Sequence, residues 1–123
     1  MGKRYQRRAA ELIRVHLSDL LRTQVNDARV RMVTLTGVEV NPTATRAHVY
    51  FSVLGEQGQR EEALAGLRSA AGYLRRELGQ RIRLRNTPEL LFEWDASLER
   101  GERISDILDQ LREDENEGLG TEL

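Results

Sequence analysis

Residues 4–24 place Ala9, Leu12, Ile13, His16, Leu17, Leu20 and Leu21 at helical spacing, while Arg4, Arg7, Arg8, Glu11, Arg14, Asp19 and Arg22 lie mostly off that stripe. An apolar band of this width buries one face, so the pattern predicts an amphipathic first helix. From Val33 the period changes to two. Val33 and Leu35 share one face of a strand, and so do Val38 and Val40, but the two pairs are out of phase. Thr36-Gly37 therefore marks a predicted bulge that restores the register. Asn41-Pro42-Thr43 supplies turn chemistry. Arg46 to Leu54 then alternates cleanly, with Ala47, Val49, Phe51 and Val53 on one side. The two runs predict an antiparallel hairpin.

Beyond a loop at Gly55 to Gly58, helical spacing returns from Arg60 with Ala63, Leu64, Leu67, Ala70, Ala71, Leu74 and Leu78. Gly72 interrupts it at a cost of about 1 kcal/mol relative to alanine. The interruption predicts two short helices joined at Ala70-Ala71-Gly72, the second capped by Gly79. Leu90, Phe92 and Trp94 share one face of a third strand over residues 90–95, and Ile104, Ile107, Leu108 and Leu111 predict a last short helix over 100–112. The order is α-β-β-α-kink-α-β with an appended C-terminal helix. It predicts an α+β, type II K-homology-like fold in which helices cover one face of a three-stranded sheet. One domain over residues 1–112 is expected, then an acidic disordered tail over 113–123, whose apolar content is too low to fold.

Charge changes this picture. The chain has 123 residues, 19 Lys+Arg and 20 Asp+Glu, so its formal net charge is −1. Residues 1–94 hold 16 basic and 10 acidic groups, and residues 95–123 hold 3 and 10. Near-neutrality is thus a +6 body cancelled by a −7 end. Such asymmetry fits a nucleic-acid surface followed by a solvating tail, and it equally fits a tail that only keeps the protein soluble. All basic residues except Lys3 are arginine. Guanidinium forks suit phosphate and can stack on bases, although a GC-rich genome also favours arginine.

The strongest cluster is Arg75, Arg76, Arg81, Arg83 and Arg85, five arginines in eleven residues with one acid, Glu77. Arg81, Arg83 and Arg85 alternate with Ile82 and Leu84, so in an extended segment all three project from one side. A focused positive field of this kind suits a phosphate backbone, and the competing reading is a solvated, salt-bridged face. K-homology modules clamp RNA with a GXXG loop between helices. Gly55-Glu56-Gln57-Gly58 matches that pattern but lies before the helical unit and is acidic, so it is a decoy turn. Ala70-Ala71-Gly72 stands where the clamp is expected.

Enzyme chemistry finds little footing. His16 and His48 are far apart in sequence, and the chain has no cysteine. No His pair or triad stands at metal-ligand spacing, and no phosphate-binding glycine fingerprint precedes a helix. Glu89, Glu93 and Asp95 are read as edge-strand charges or partners of nearby arginines. No catalytic residue, metal or cofactor is expected. No apolar run approaches the roughly 20 residues that cross a bilayer, and the basic start leads into no apolar signal core, so a cytoplasmic location is expected.

The chain resembles the bacterial ribosome-binding factor A family. The resemblance rests on Leu35-Thr-Gly-Val-Glu-Val40, on Ala47 to Gly55, on Ala70-Ala71-Gly72-Tyr-Leu-Arg75, on Leu84-Arg-Asn-Thr-Pro-Glu-Leu90 and on Phe92 to Ser97. Two departures are visible: Asp27-Ala28-Arg29 where the family usually has Asp-Pro-Arg, and His48 where lysine is frequent. The resemblance implies a monomeric, non-catalytic assembly factor. Such a factor binds the free small (30S) ribosomal subunit, assists 16S rRNA 5′-end maturation and matters during growth in the cold. A functional link to assembly GTPases is implied with it. The expected RNA-binding residues are Lys3, Arg4, Arg7 and Arg8, the Ala70, Ala71 and Gly72 turn, and Arg75, Arg76, Arg81, Arg83 and Arg85. Tyr73 either stacks on a base or packs helix on sheet. The rival reading is a small α+β protein-interaction module whose arginines only solubilise.

Overall fold

The computed structural model describes residues 3–54 and 58–97. Helix α1 spans Lys3–Thr23, strand β1 Val33–Val40, strand β2 Arg46–Val53, helix α2 Gly58–Arg81 and strand β3 Glu89–Trp94. A single 3-10 turn, Ala28–Val30, stands between α1 and β1. The sheet order is β1-β2-β3, with β1 antiparallel and β3 parallel to the central strand. The α+β architecture and the three strands agree with expectation. The appended helix over 100–112 and the acidic tail over 113–123 lie outside the described residues.

The predicted bulge is present and does what the phase change requires. The register slips between Leu35 and Gly37, leaving Thr36 as the extra residue. As a result Val33, Leu35, Val38 and Val40 all stand opposite apolar residues of β2, namely Val53, Phe51, Val49 and Ala47. Without the slip, half of β1 would turn its apolar side chains away from the helices. Ala47, Val49 and Phe51 are fully buried, and β3 adds Leu90 and Phe92 to the same face. Trp94 meets Phe51 edge-on at 5.7 Å and carries the Arg60 guanidinium 4.8 Å above its ring.

Both helices lie on that face. α1 buries Ala9, Ile13, Leu17, Leu20 and Leu21, whereas Leu12 remains 39% exposed at the rim of the stripe. α2 buries Ala63, Leu67, Leu74 and Leu78. The two short helices expected around Ala70-Ala71-Gly72 are one: helical structure runs unbroken from Gly58 to Arg81. A glycine weakens a helix without removing a hydrogen bond, and the alanines, leucines and arginines on either side are strong helix formers. Gly79 is likewise no C-cap, because α2 continues past it. It makes room instead, since a Cβ there would lie 2.8 Å from Thr87 Oγ1 in the approach to β3.

Candidate nucleic-acid interface

Each expected contact residue has a definite place, and the cluster divides by what its members already hold. Arg81, Arg83 and Arg85 are exposed, Ile82 is buried and Leu84 half-buried, but Arg81 is still helical, so the three do not share one extended segment. The three arginines differ. Arg81 is the last residue of α2, and its Nη1 donates to Asp19 Oδ2 of α1 at 2.7 Å. The other oxygen of Asp19 takes Arg22 at 2.6 Å. The hydrogen bond from Arg81, reinforced by the charges of Arg81 and Arg22, holds the Asp19 carboxyl below its ordinary value of 3.8 against a weaker opposing effect of desolvation. Arg81 is therefore a tie between helices.

Arg85 belongs to a different group. Its guanidinium lies over the Tyr5 ring, 5.7 Å from the centroid, and its backbone N–H donates to the Tyr5 hydroxyl at 3.3 Å. That contact brings residues 83–85 to the first turns of α1, where Lys3, Arg4 and Arg8 are exposed and Arg7 is half-buried. The N-terminal and post-helix parts of the expected site thus meet. Tyr5 is the residue that joins them, and sequence reasoning passed over it; its position three residues before Arg8, on the same side of the helix, was the available signal. The segment runs back along α1 from Asp19 to Tyr5, with Arg83 exposed between the two anchors.

The remaining residues lie on α2. Arg75 donates through Nε and Nη2 to the Thr87 carbonyl at 3.2 and 2.9 Å, fastening the approach to β3 against the helix. Arg76 points outward, exposed and without an ion pair among the described residues. Gly72 is exposed, and a Cβ built there meets nothing within 4 Å. Ala70 and Ala71 are half-buried and pack on the core, as does Tyr73, which favours packing over base stacking for that ring. Arg68, four residues before Gly72, is exposed on the same helical face and was not among the expected contacts. The spacing Arg68, Gly72, Arg76 was the signal: residues four apart share a face.

Several other arginines are already engaged. Arg14 pairs with Glu11, Arg22 with Asp19 and Arg29 with Asp27. Asp27 also accepts the Arg29 backbone N–H at 2.9 Å to start the 3-10 turn, and these bonds to Arg29 hold its carboxyl below 3.8. Asp95, read as an edge charge or an arginine's partner, is buried: it accepts from Thr36 Oγ1 at 2.5 Å and from the Ser97 N–H and hydroxyl. The bulge thereby aims Thr36 across the sheet at the end of β3. His48 lies 3.5 Å from Glu93 on the sheet face away from the helices. Among the described residues no group of three or more His, Cys, Asp or Glu is placed to hold a metal ion.

The family model for ribosome-binding factor A matches residues 5–108. A ribosome-binding factor A from Aromatoleum aromaticum is 46% identical over 119 residues, covering 94% of this chain and 93% of the relative. The crystal structure of ribosome-binding factor A from Thermus thermophilus superposes with a TM-score of 0.63 at 25% identity, covering 76% of this chain and 96% of that one. A homology model of the Thermus thermophilus factor, fitted into a cryo-EM map of its complex with 30S, gives a TM-score of 0.59 at 27% identity, covering 71% and 92%.

Proposed function

This chain belongs to the ribosome-binding factor A family, and from that premise we propose that it is a small-subunit assembly factor that acts by binding RNA. It holds the free 30S subunit through its 16S rRNA, assists maturation of the 5′ end of that rRNA, and serves growth in the cold. It works as a cytoplasmic monomer in functional contact with assembly GTPases. We place its sheet and helices in the type II K-homology-like class, with residues 1–112 as the RNA-binding unit.

One observation carries the RNA reading. Lys3, Arg8, Arg68, Arg76 and Arg83 are all exposed, and none has an ion pair among the described residues. Arg14, Arg22, Arg29 and Arg81 are matched with carboxylates. Much of the unmatched charge therefore lies on the start of α1, the segment after α2 and the outward face of α2. In this reading Arg4, Arg7 and Arg85 flank the first of these surfaces and Gly72 lets a phosphate backbone approach the last. Arg75 and Arg81 hold the surfaces in place rather than touching RNA.

Neutralising about five phosphates gives a log–log salt slope of about −4 to −5 on duplex-like RNA. Cosedimentation with free small subunits across a salt series measures it. Combining Arg8→Ala, Arg76→Ala and Arg83→Ala is expected to reduce the slope by about 2–3 and leave the melting temperature unchanged. A flat salt profile for the unaltered protein, or no cosedimentation at low salt, overturns the proposal and leaves a protein-interaction module.

A further inference from the structure

The chain after β3 carries the opposite charge to the body, and the structure settles where it departs. Residues 98–123 hold nine acidic and three basic groups, a net of −6. Their starting point is pinned. Asp95 donates its backbone N–H to the Phe51 carbonyl and takes the Thr36 hydroxyl, while Ser97 is held to Asp95 through both its N–H and its hydroxyl. The segment therefore leaves beside the bulge of β1, although β3 lies at the far edge of the sheet.

From Thr36, β1 runs four residues to Val40, about 13 Å at the rise of a strand. There the Gln6 side chain of α1 donates to the Val40 carbonyl at 2.9 Å. Lys3 lies one turn before Gln6, and Arg7, next to Gln6, shares a face with Lys3 at four-residue spacing. As a helix, residues 98–112 span about 22 Å, and as a random chain about 20 Å. Either length exceeds the ~13 Å to Val40, so the segment is long enough to reach the first turns of α1.

We propose that residues 98–123 dock on the basic first two turns of α1, around Lys3, Arg4, Arg7 and Arg8, and compete there with RNA. The segment is a tethered polyanion whose local concentration at that surface is of millimolar order. Weak RNA contacts lose to it. An RNA that also engages the outward face of α2, which the segment need not cover, displaces it. The counter-charge thus raises selectivity by penalising ligands that use only half of the surface. The docking half stands on charge and geometry alone, and the competition half rests on the RNA reading.

Lys3 is the only lysine, which makes the docking directly testable. Zero-length carbodiimide coupling of the dilute full-length protein is expected to join Lys3 to a carboxylate within residues 98–123, in the monomer band, and to lose that product in about 0.5 M salt. In the full-length chain, Glu113→Gln, Asp114→Asn, Glu115→Gln and Glu117→Gln together are expected to tighten binding of an unrelated 20-nucleotide single-stranded RNA by about 3–10-fold at low salt. Absence of the Lys3 product, or its confinement to a dimer band, overturns intramolecular docking. A Lys3 product with unchanged RNA affinity overturns the competition. Failure of both proteins to bind any RNA or small subunit overturns the proposed function while leaving docking to be judged by the Lys3 product alone.

Discussion

Gly66 and Gly72 stand six residues apart on α2 and answer to different surroundings. Gly66 is buried under the 3-10 turn: a Cβ there would meet Val30 Cγ1 at 2.8 Å and Arg29 Cβ at 3.0 Å. A Cβ at Gly72 would meet nothing within 4 Å. The first glycine is required by the fold. The second weakens the helix by about 1 kcal/mol and gains nothing from the protein's own packing, which is the pattern expected where a partner's backbone comes close. Gly66→Leu is expected to lower unfolding stability by about 1–3 kcal/mol through overpacking. Gly72→Ala should raise it by up to about 1 kcal/mol and weaken small-subunit binding. Denaturant titration and cosedimentation on the same samples read both quantities. If Gly72→Ala stabilises the protein and binds as before, the outward face of α2 is not a contact surface.

Adjacent arginines offer a finer version of the same contrast. Arg75 makes two hydrogen bonds to the Thr87 carbonyl, and Arg76 makes no ion pair among the described residues. Arg75→Ala is expected to cost about 0.5–1.5 kcal/mol of stability by releasing the approach to β3. Arg76→Ala should change stability by less than about 0.5 kcal/mol while reducing the salt slope of RNA binding by about 1. Equal stability losses from the two variants would erase the division between structural and contact arginines on which the site is drawn.

That division is where the sequence stops being legible. Period and phase alone located α1, both strands of the hairpin, the bulge at Thr36 and β3, because side-chain burial has a local signature. Whether an arginine is spent depends on contacts across 62 residues for Arg81 and Asp19, and across 12 for Arg75 and Thr87, which no local pattern carries. Gly72 misled for a related reason. A glycine in a helix signals either a break or an unfilled surface, and only the open space around it distinguishes the two. Asp95 looked like an edge charge because its acceptor role depends on Thr36, on the other side of the central strand.

Asp19 gives the smallest and most specific effect. Its carboxyl is held below 3.8, first by the hydrogen bond from Arg81 and further by the charges of Arg81 and Arg22. A carboxyl whose folded value lies below its unfolded value of about 3.9 stabilises the fold fully above that unfolded value. The contribution fades as pH falls through the lower, folded value. The stability difference between the unaltered protein and Asp19→Asn should therefore be constant from about pH 7 to 5 and close below about pH 4, as read by thermal melts across that range. Asp27, paired with Arg29, is untouched in both proteins and cancels. The same variant releases Arg81 next to Arg83, so the salt slope of RNA binding should steepen by up to about 1. A difference that persists undiminished at pH 2 would mean that Asp19 acts through packing rather than charge, and Arg81 would then have to be counted with the open arginines.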